Sequence, residues 1–335
     1  MRTPLAVLPN LLGTAGNHPT TEEPAWPSGV ADDHTPLEFS VALDNTIPPA
    51  LRLLGETIGD KPSAVNNARA FERVLRSAAR DFDISTERYD QVRDLFLPED
   101  SSAEFLLWYS TVFRAGHLPA LKVYFNPAAH GEENAGELVA EALSRLGLND
   151  AYRDLREHAL LRGEADRCVF FAVDLHDRPH ARVKVYVAHA NARSGDAIRA
   201  AAAVSGIDPG QLAEFCAIAG GTDAFAGRPL VSSYTYVSPD THRPSGYSLY
   251  LPIRDYVSDD EEARQRVLQL LAWAGFDPVL LDRAIDALTD RPLAEGVGLI
   301  AHVSLRLGIP RPGMTVYLSS EAYAVSRPRR LSPVQ

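Results

Sequence analysis

The sequence predicts an α+β fold: a ten-stranded antiparallel β-barrel surrounded by α-helices and assembled from repeated ββαα units. Three observations point there. From Thr35 onward the hydrophobic period alternates between two and 3.6 residues in a fixed order. The second strands of successive pairs begin near residues 50, 119, 180, 246 and 313, a period that stays in the sixties. On strand after strand, cations and tyrosines share one parity while aliphatic residues hold the other.

The elements follow in order. Strands at 37–43 and 50–56 precede helices at 63–80 and 85–97. The segment 104–114 is aromatic and β-branched, which favours a strand, and Ala115 to Pro119 turns it into a second strand at 119–126. Helices at 134–147 and 149–161 lead to strands at 167–175 and 180–189, joined across Asp177-Arg178-Pro179. Helices at 194–204 and 208–219 lead to strands at 229–238 and 246–254, joined across Pro239 to Ser245. Helices at 259–274 and 277–289 precede the last pair, 297–307 and 313–320, joined through Pro310-Arg311-Pro312-Gly313. Consecutive hairpins make antiparallel sheets, and closure into a barrel removes the exposed edges. An open sheet covered on one face by helices is the alternative. The organisation expected is a flexible lead-in over 1–35, one barrel domain over 36–323 and a tail over 324–335.

Composition narrows the partners. Lys and Arg number 33 against 44 Asp and Glu, a net charge of −11, which argues against a nucleic-acid surface or an anionic membrane. Any anion site must then be a local concentration of cations. No run approaches the roughly 20 apolar residues of a membrane helix, the N-terminal stretch is interrupted by Pro4 and Pro9, and Cys168 and Cys216 lack a paired spacing. A soluble, cytoplasmic protein is expected. Its oligomeric state is not legible.

The chemistry lies in the polar parity. Arg182, Lys184 and Tyr186 alternate with Val183, Val185 and Val187, and Lys122, Tyr124 and Asn126 alternate with Val123 and Phe125. Thr315, Tyr317 and Ser319 oppose Met314, Val316 and Leu318, and Ser248 and Tyr250 oppose Leu249 and Leu251; Tyr234 and Tyr236 are read as inward too. One such face on an open sheet would simply meet water. Repeated around a barrel it encloses several cations, whose desolvation costs several kcal/mol each unless an anion relieves it. Arg52, Lys122, Arg182 and Lys184 therefore form a candidate diphosphate cradle. Tyr124, Tyr186, Tyr250 and Tyr317 could offer ring faces to a carbocation, each worth about 0.5–2 kcal/mol where water is excluded, with a hydroxyl reaching phosphate.

Rival motifs carry little. Gly296-Val297-Gly298 runs into an alternating strand rather than opening a helix, so it carries little weight as a dinucleotide loop. Asp259-Asp260-Glu261-Glu262 suits a helix start better than a metal-binding acidic motif. The histidines lack metal-ligand spacing, so no metal is expected.

The segments LKVYFNP (121–127), RVKVYV (182–187), SLYLPIRDYV (248–257) and MTVYLSSEAY (314–323) resemble the strand motifs of the dimethylallyltryptophan synthase family, particularly its bacterial indole prenyltransferases. The resemblance spans Thr35 to Tyr323. It implies metal-independent transfer of a dimethylallyl or longer prenyl group from its diphosphate to an indole or tryptophan-type acceptor by Friedel–Crafts alkylation. Prenyl diphosphate is then a co-substrate, and no cofactor is required. It also implies that Arg52, Lys122, Arg182, Lys184 and Tyr250 bind diphosphate, that Tyr124, Tyr186, Tyr250 and Tyr317 shield the cation, and that Lys184 and Tyr186 act in catalysis. Glu38, on the first strand, stands where the family's acid accepts the indole N–H; Trp108 and His302 complete the acceptor site. His302, Ser304 and Arg306 stand where relatives often carry further tyrosines, so the acceptor pocket differs. A phenolic or other aromatic acceptor, or a barrel that binds isoprenoid or phosphate without reacting it, are the alternatives.

Overall fold

The computed structural model describes residues 4–43, 50–81, 84–114, 116–237, 243–308 and 312–329. The turn position Ala115, the loop centre 238–242, the 309–311 connection and residues 330–335 of the expected tail lie outside them. Ten strands close into a barrel: β1 (Leu37–Leu43), β2 (Leu51–Gly55), β3 (Leu107–Phe113), β4 (Ala120–Phe125), β5 (Asp166–Asp174), β6 (Val183–His189), β9 (Leu230–Tyr236), β10 (Gly246–Leu251), β11 (Ile300–Gly308) and β12 (Gly313–Ser319). A short pair, β7 (Ala192–Arg193) and β8 (Ala224–Phe225), lies apart from it. Every barrel neighbour is antiparallel, and β12 closes on β1 through Glu38 opposite Ser319 and Ser40 opposite Tyr317. The closed sheet is therefore the one realised, and the open sheet is not.

Helix pairs fill the outside at the places expected from the repeat: α2 (Ala64–Asp81) with α3 (Glu87–Phe96), α4 (Ala135–Arg145) with α5 (Ala151–His158), α6 (Ser194–Ala201) with α7 (Pro209–Gly220), and α8 (Asp260–Ala274) with α9 (Val279–Leu288). The core lies between helices and barrel, where Val123, Phe125, Phe171, Val185, Val187, Leu249 and Val316 are buried with Phe96, Val139, Phe215 and Leu270. Burying each such side chain contributes about 1.5–3 kcal/mol. Asp259 caps α8 by accepting from the Glu262 N–H at 2.8 Å, which is why that acidic run starts a helix. No helix among the described residues is long and apolar enough to cross a membrane.

Two features depart from the sequence reading. Residues 4–12, within the stretch expected to be a flexible lead-in, form helix α1 (Pro4–Leu12), with Val7 and Leu11 buried in the core. Pro9 is tolerated because α1 is short and amphipathic packing, not backbone bonding, holds it. Tyr234 and Tyr236 point outward, not inward: Tyr234 pairs with Tyr247 and donates to the Ala200 carbonyl at 3.0 Å. The inward parity of β9 belongs to Ser233 and Thr235. With Ser232, Tyr234 and Tyr236 at one parity and Ser233 and Thr235 at the other, hydropathy could not choose the face, and pairing with β6 did.

Outside the barrel, His189 bridges the Asp166 carboxylate (2.7 Å) and the Ser232 hydroxyl (2.8 Å), while Arg162 grips Asp166 at 2.7 and 3.1 Å. Burial alone would raise the Asp166 carboxyl, yet His189 and Arg162 outweigh it and lower it to about 2. Since the folded-state value lies below the usual 3.8, the stability this carboxylate contributes is full above that pH and is lost as pH falls toward 2. Asp166→Ala should therefore cost about 3 kcal/mol in urea unfolding at pH 7, with the deficit shrinking at pH 3. An unaltered midpoint at neutral pH would refute that role.

Candidate active site

Cross-strand register builds the lumen layer by layer, because neighbouring strands must present partners to the same face. At one end Lys122 lies opposite Asp174 and Ser110, and Lys184 lies opposite Ala172 and Thr235. Arg52 on β2 approaches Thr315 on β12 (3.5 Å). Arg182, just before β6, binds Asp174 through Nε at 2.7 Å. The four cations of the expected cradle thus come together. Arg114, at the end of β3, joins them: burial lowers its pKa first, and Arg52 and Arg182 lower it further. Neither it nor Asp174 stands out in the sequence, since each is a single charged residue closing a run of apolar and aromatic ones.

These cations crowd one another. Burial, then Arg182, lowers Lys122 to about 7, against opposition from Asp174. Burial, then Lys122 and Arg182, presses Lys184 well below the ordinary lysine value. The positive charge is carried by side chains, and among the described residues no group of three or more His, Cys, Asp or Glu side chains converges.

The next layer is aromatic. Tyr124, Tyr186, Tyr250 and Tyr317 follow one another across the lumen with centroids 5.8, 5.8 and 5.9 Å apart. The Lys184 ammonium lies 5.3 Å from the Tyr186 ring centre, and that of Lys122 5.7 Å from Tyr124. Burial raises the Tyr186 and Tyr317 hydroxyls well above their usual values, so both rings stay neutral.

The far layer holds the expected acceptor residues. Glu38 is buried, its carboxylate 3.8 Å from His302 Nδ1. Burial pushes its carboxyl up to about 8, with Arg254 opposing and Asp32 assisting the rise. Burial, then Arg254 and Arg228, hold His302 well below 6.5, so the imidazole is neutral at this contact. His302 also meets Tyr317 edge-on at 6.3 Å. Trp108 stacks on Phe105 at 4.2 Å and packs against Phe170 at 5.4 Å. Phe170 in turn meets Tyr124 and Tyr186, joining this layer to the tyrosines.

Residues before β1 close this end. Ser28 donates to Glu56, Gly29 lies against Trp108, and Asp32 pairs with Arg254 (3.2 Å) and Arg228 (2.9 Å). Beside them a cleft of about 730 Å³ opens, lined by Phe105, Asn126, Glu132, Arg167 and Phe170 among others. Arg167, paired with Glu132, shares the inward parity because the register shifts between Cys168 and Phe170. That bulge reverses the side-chain faces at the start of β5, which is why strict alternation, running from Asp174 through Ala172 to Phe170, misses Arg167.

A closed antiparallel barrel of ten strands, wrapped by helix pairs and lined by cations and tyrosines, defines the aromatic prenyltransferase class. The model of the family described as tryptophan dimethylallyltransferase matches residues 5–207. The chain belongs to that family and is an aromatic prenyltransferase. It is similar to the 6-dimethylallyltryptophan synthase from Micromonospora olivasterospora, solved in complex with DMASPP and Trp (55% identity, TM-score 0.93, covering 96% of this chain and 92% of that one). It is also similar to the prenyltransferase PriB, solved with L-tryptophan and dimethylallyl thiolodiphosphate (40% identity, TM-score 0.90, covering 98% and 92%). The 5-dimethylallyltryptophan synthase from Streptomyces coelicolor, in complex with DMASPP and Trp, matches at 38% identity and TM-score 0.89, covering 98% and 91%.

Proposed function

We propose that this prenyltransferase transfers a dimethylallyl group from dimethylallyl diphosphate to the indole ring of tryptophan, without a metal. The observation that carries the reading is the order of layers in one lumen: cations, then tyrosines, then a buried carboxylate. Arg52, Lys122, Arg182 and Lys184, with the Tyr250 hydroxyl, bind the diphosphate. The C1–O bond breaks with its electron pair passing to diphosphate, whose growing charge the cations stabilise. The rings of Tyr124, Tyr186, Tyr250 and Tyr317 shelter the allyl cation and exclude water. A ring carbon of the indole then forms the new C–C bond, and the ring loses a proton.

Glu38 accepts the indole N–H and raises the ring's nucleophilicity, while Trp108 and His302 shape the acceptor pocket. His302 is too weak a base to be the favoured proton acceptor; a lysine or the released diphosphate serves better. At the cleft, Arg167 and Glu132 suit the carboxylate and ammonium of a free amino acid, which favours tryptophan over a phenol. Residues 36–323 act as one catalytic unit, with the preceding segment as its floor. The buried free thiols of Cys168 and Cys216 are consistent with a cytoplasmic setting.

Incubation with dimethylallyl diphosphate and tryptophan should give a product heavier by one prenyl unit, and turnover should survive EDTA. Activity abolished by chelation and restored by magnesium would refute the metal-free reading. Turnover of phenolic acceptors alone would refute the indole assignment.

A further inference from the structure

We propose that Asp174 is a positioning residue of the donor site: an internal counter-anion that keeps Arg182 aligned and Lys122 charged, so that neutralising it weakens diphosphate binding. The proposal rests on the diphosphate reading of the cradle. Asp174 sits on the lumen face of β5, directly opposite Lys122 and 3% exposed. It accepts from Arg182 Nε at 2.7 Å, from Arg182 Nη2 at 3.2 Å and from the Arg182 backbone N–H at 3.0 Å. Lys122 Nζ stands 3.5 Å away and His176 Nε2 3.8 Å. Burial works to raise the Asp174 carboxyl, but Lys122 and Arg182 outweigh it and hold it well below the usual carboxylate range.

A carboxylate inside an anion site is paradoxical on Coulomb's law alone, which predicts that Asp174→Asn should tighten diphosphate binding. Two observations point the other way. Two hydrogen bonds fix the Arg182 guanidinium and a third, from its backbone N–H, fixes the main chain beneath it; the side chain is 36% exposed and would otherwise sample solvent rotamers. Lys122 faces Arg52 from β2 and Arg182 and Lys184 from the β6 side, Arg114 at the end of β3 acts on Arg52 and Arg182, and burial with Arg182 already lowers Lys122 to about 7. Asp174 is the acid that opposes this fall, and His176 beside it is held below its usual value, first by burial. Without the carboxylate, Lys122 loses its proton at a lower pH and ceases to attract the anion.

The test is calorimetric binding of dimethylallyl thiolodiphosphate between pH 6 and 9 to the wild type, Asp174→Asn, Asp174→Glu and Lys122→Met. Asp174→Asn should bind the analogue about tenfold more weakly at pH 7.5, the scale of losing an outer-shell partner. Its affinity should also fall away at lower pH than that of the wild type, and Asp174→Glu should recover part of both. Binding by Asp174→Asn that equals or exceeds wild type, while Lys122→Met weakens it, overturns the proposal and leaves the cradle reading standing. If Lys122→Met leaves affinity unchanged, the cradle reading itself fails and takes the proposal with it. Should Asp174→Asn not fold, Asp174→Ser takes its place, and an affinity and pH profile equal to those of the wild type overturn the proposal equally.

Discussion

Lys184→Ala is expected to raise KM for the prenyl donor and to lower kcat by about 10²–10³-fold, the scale of removing one preorganised group that stabilises developing charge. The ammonium contacts diphosphate in the ground state and more strongly as the leaving group gains charge, so binding and chemistry both suffer. Tyr186→Ala, two residues along the same face and under the same ammonium, should behave differently. Its ring favours the cation chiefly after ionisation begins, so kcat should fall more than donor affinity. Water entering the enlarged lumen should divert part of the donor to free prenyl alcohol. The discriminating quantity is the ratio of prenyl alcohol to prenylated product, taken with donor binding by calorimetry. If Tyr186→Ala loses donor binding as severely as Lys184→Ala and yields no extra alcohol, its ring is a phosphate ligand or packing residue.

Glu38→Gln should leave the fold intact, since the change is nearly isosteric, and should lower kcat/KM for an indole acceptor by about 10–100-fold. That corresponds to losing about 1.5–3 kcal/mol of hydrogen bonding to a charged group. A pH signature accompanies it. Because burial holds the Glu38 carboxyl near 8, the carboxylate form grows as pH rises through that value, and acceptor affinity should rise with it. His302, neutral at the same contact, cannot supply a compensating charge. The glutamine variant should lose this rise. Equal kcat/KM in the variant, or a pH profile shared by both proteins, would show that another group orients the acceptor.

Much of this was legible because strand alternation is a strict physical rule. Val183, Val185 and Val187 had to meet the helices, so Lys184 and Tyr186 had to face the lumen, and the same logic carried Lys122, Tyr124, Tyr250 and Tyr317. The rule failed where its premises failed. The bulge between Cys168 and Phe170 reverses the parity at the start of β5 and hid Arg167, and on β9 two polar parities hid the outward course of Tyr234 and Tyr236. Pro252 ends β10 at Leu251, so Arg254, expected within that strand, instead meets Asp32 below the barrel.

The sequence by itself determined the ten strands, their helix pairs and, on the regular strands, which side chains enter the lumen, because these follow from periods of two and 3.6 residues that local geometry imposes. Tertiary structure decided the charge states and the floor. Lys122 near 7 and Glu38 near 8 depend on how much water the closed barrel removes and on which charges lie across it, quantities that no local pattern encodes. The segment from Ser28 to Asp32 becomes a floor only because Glu56, Trp108 and Arg254, distant along the chain, converge beneath it.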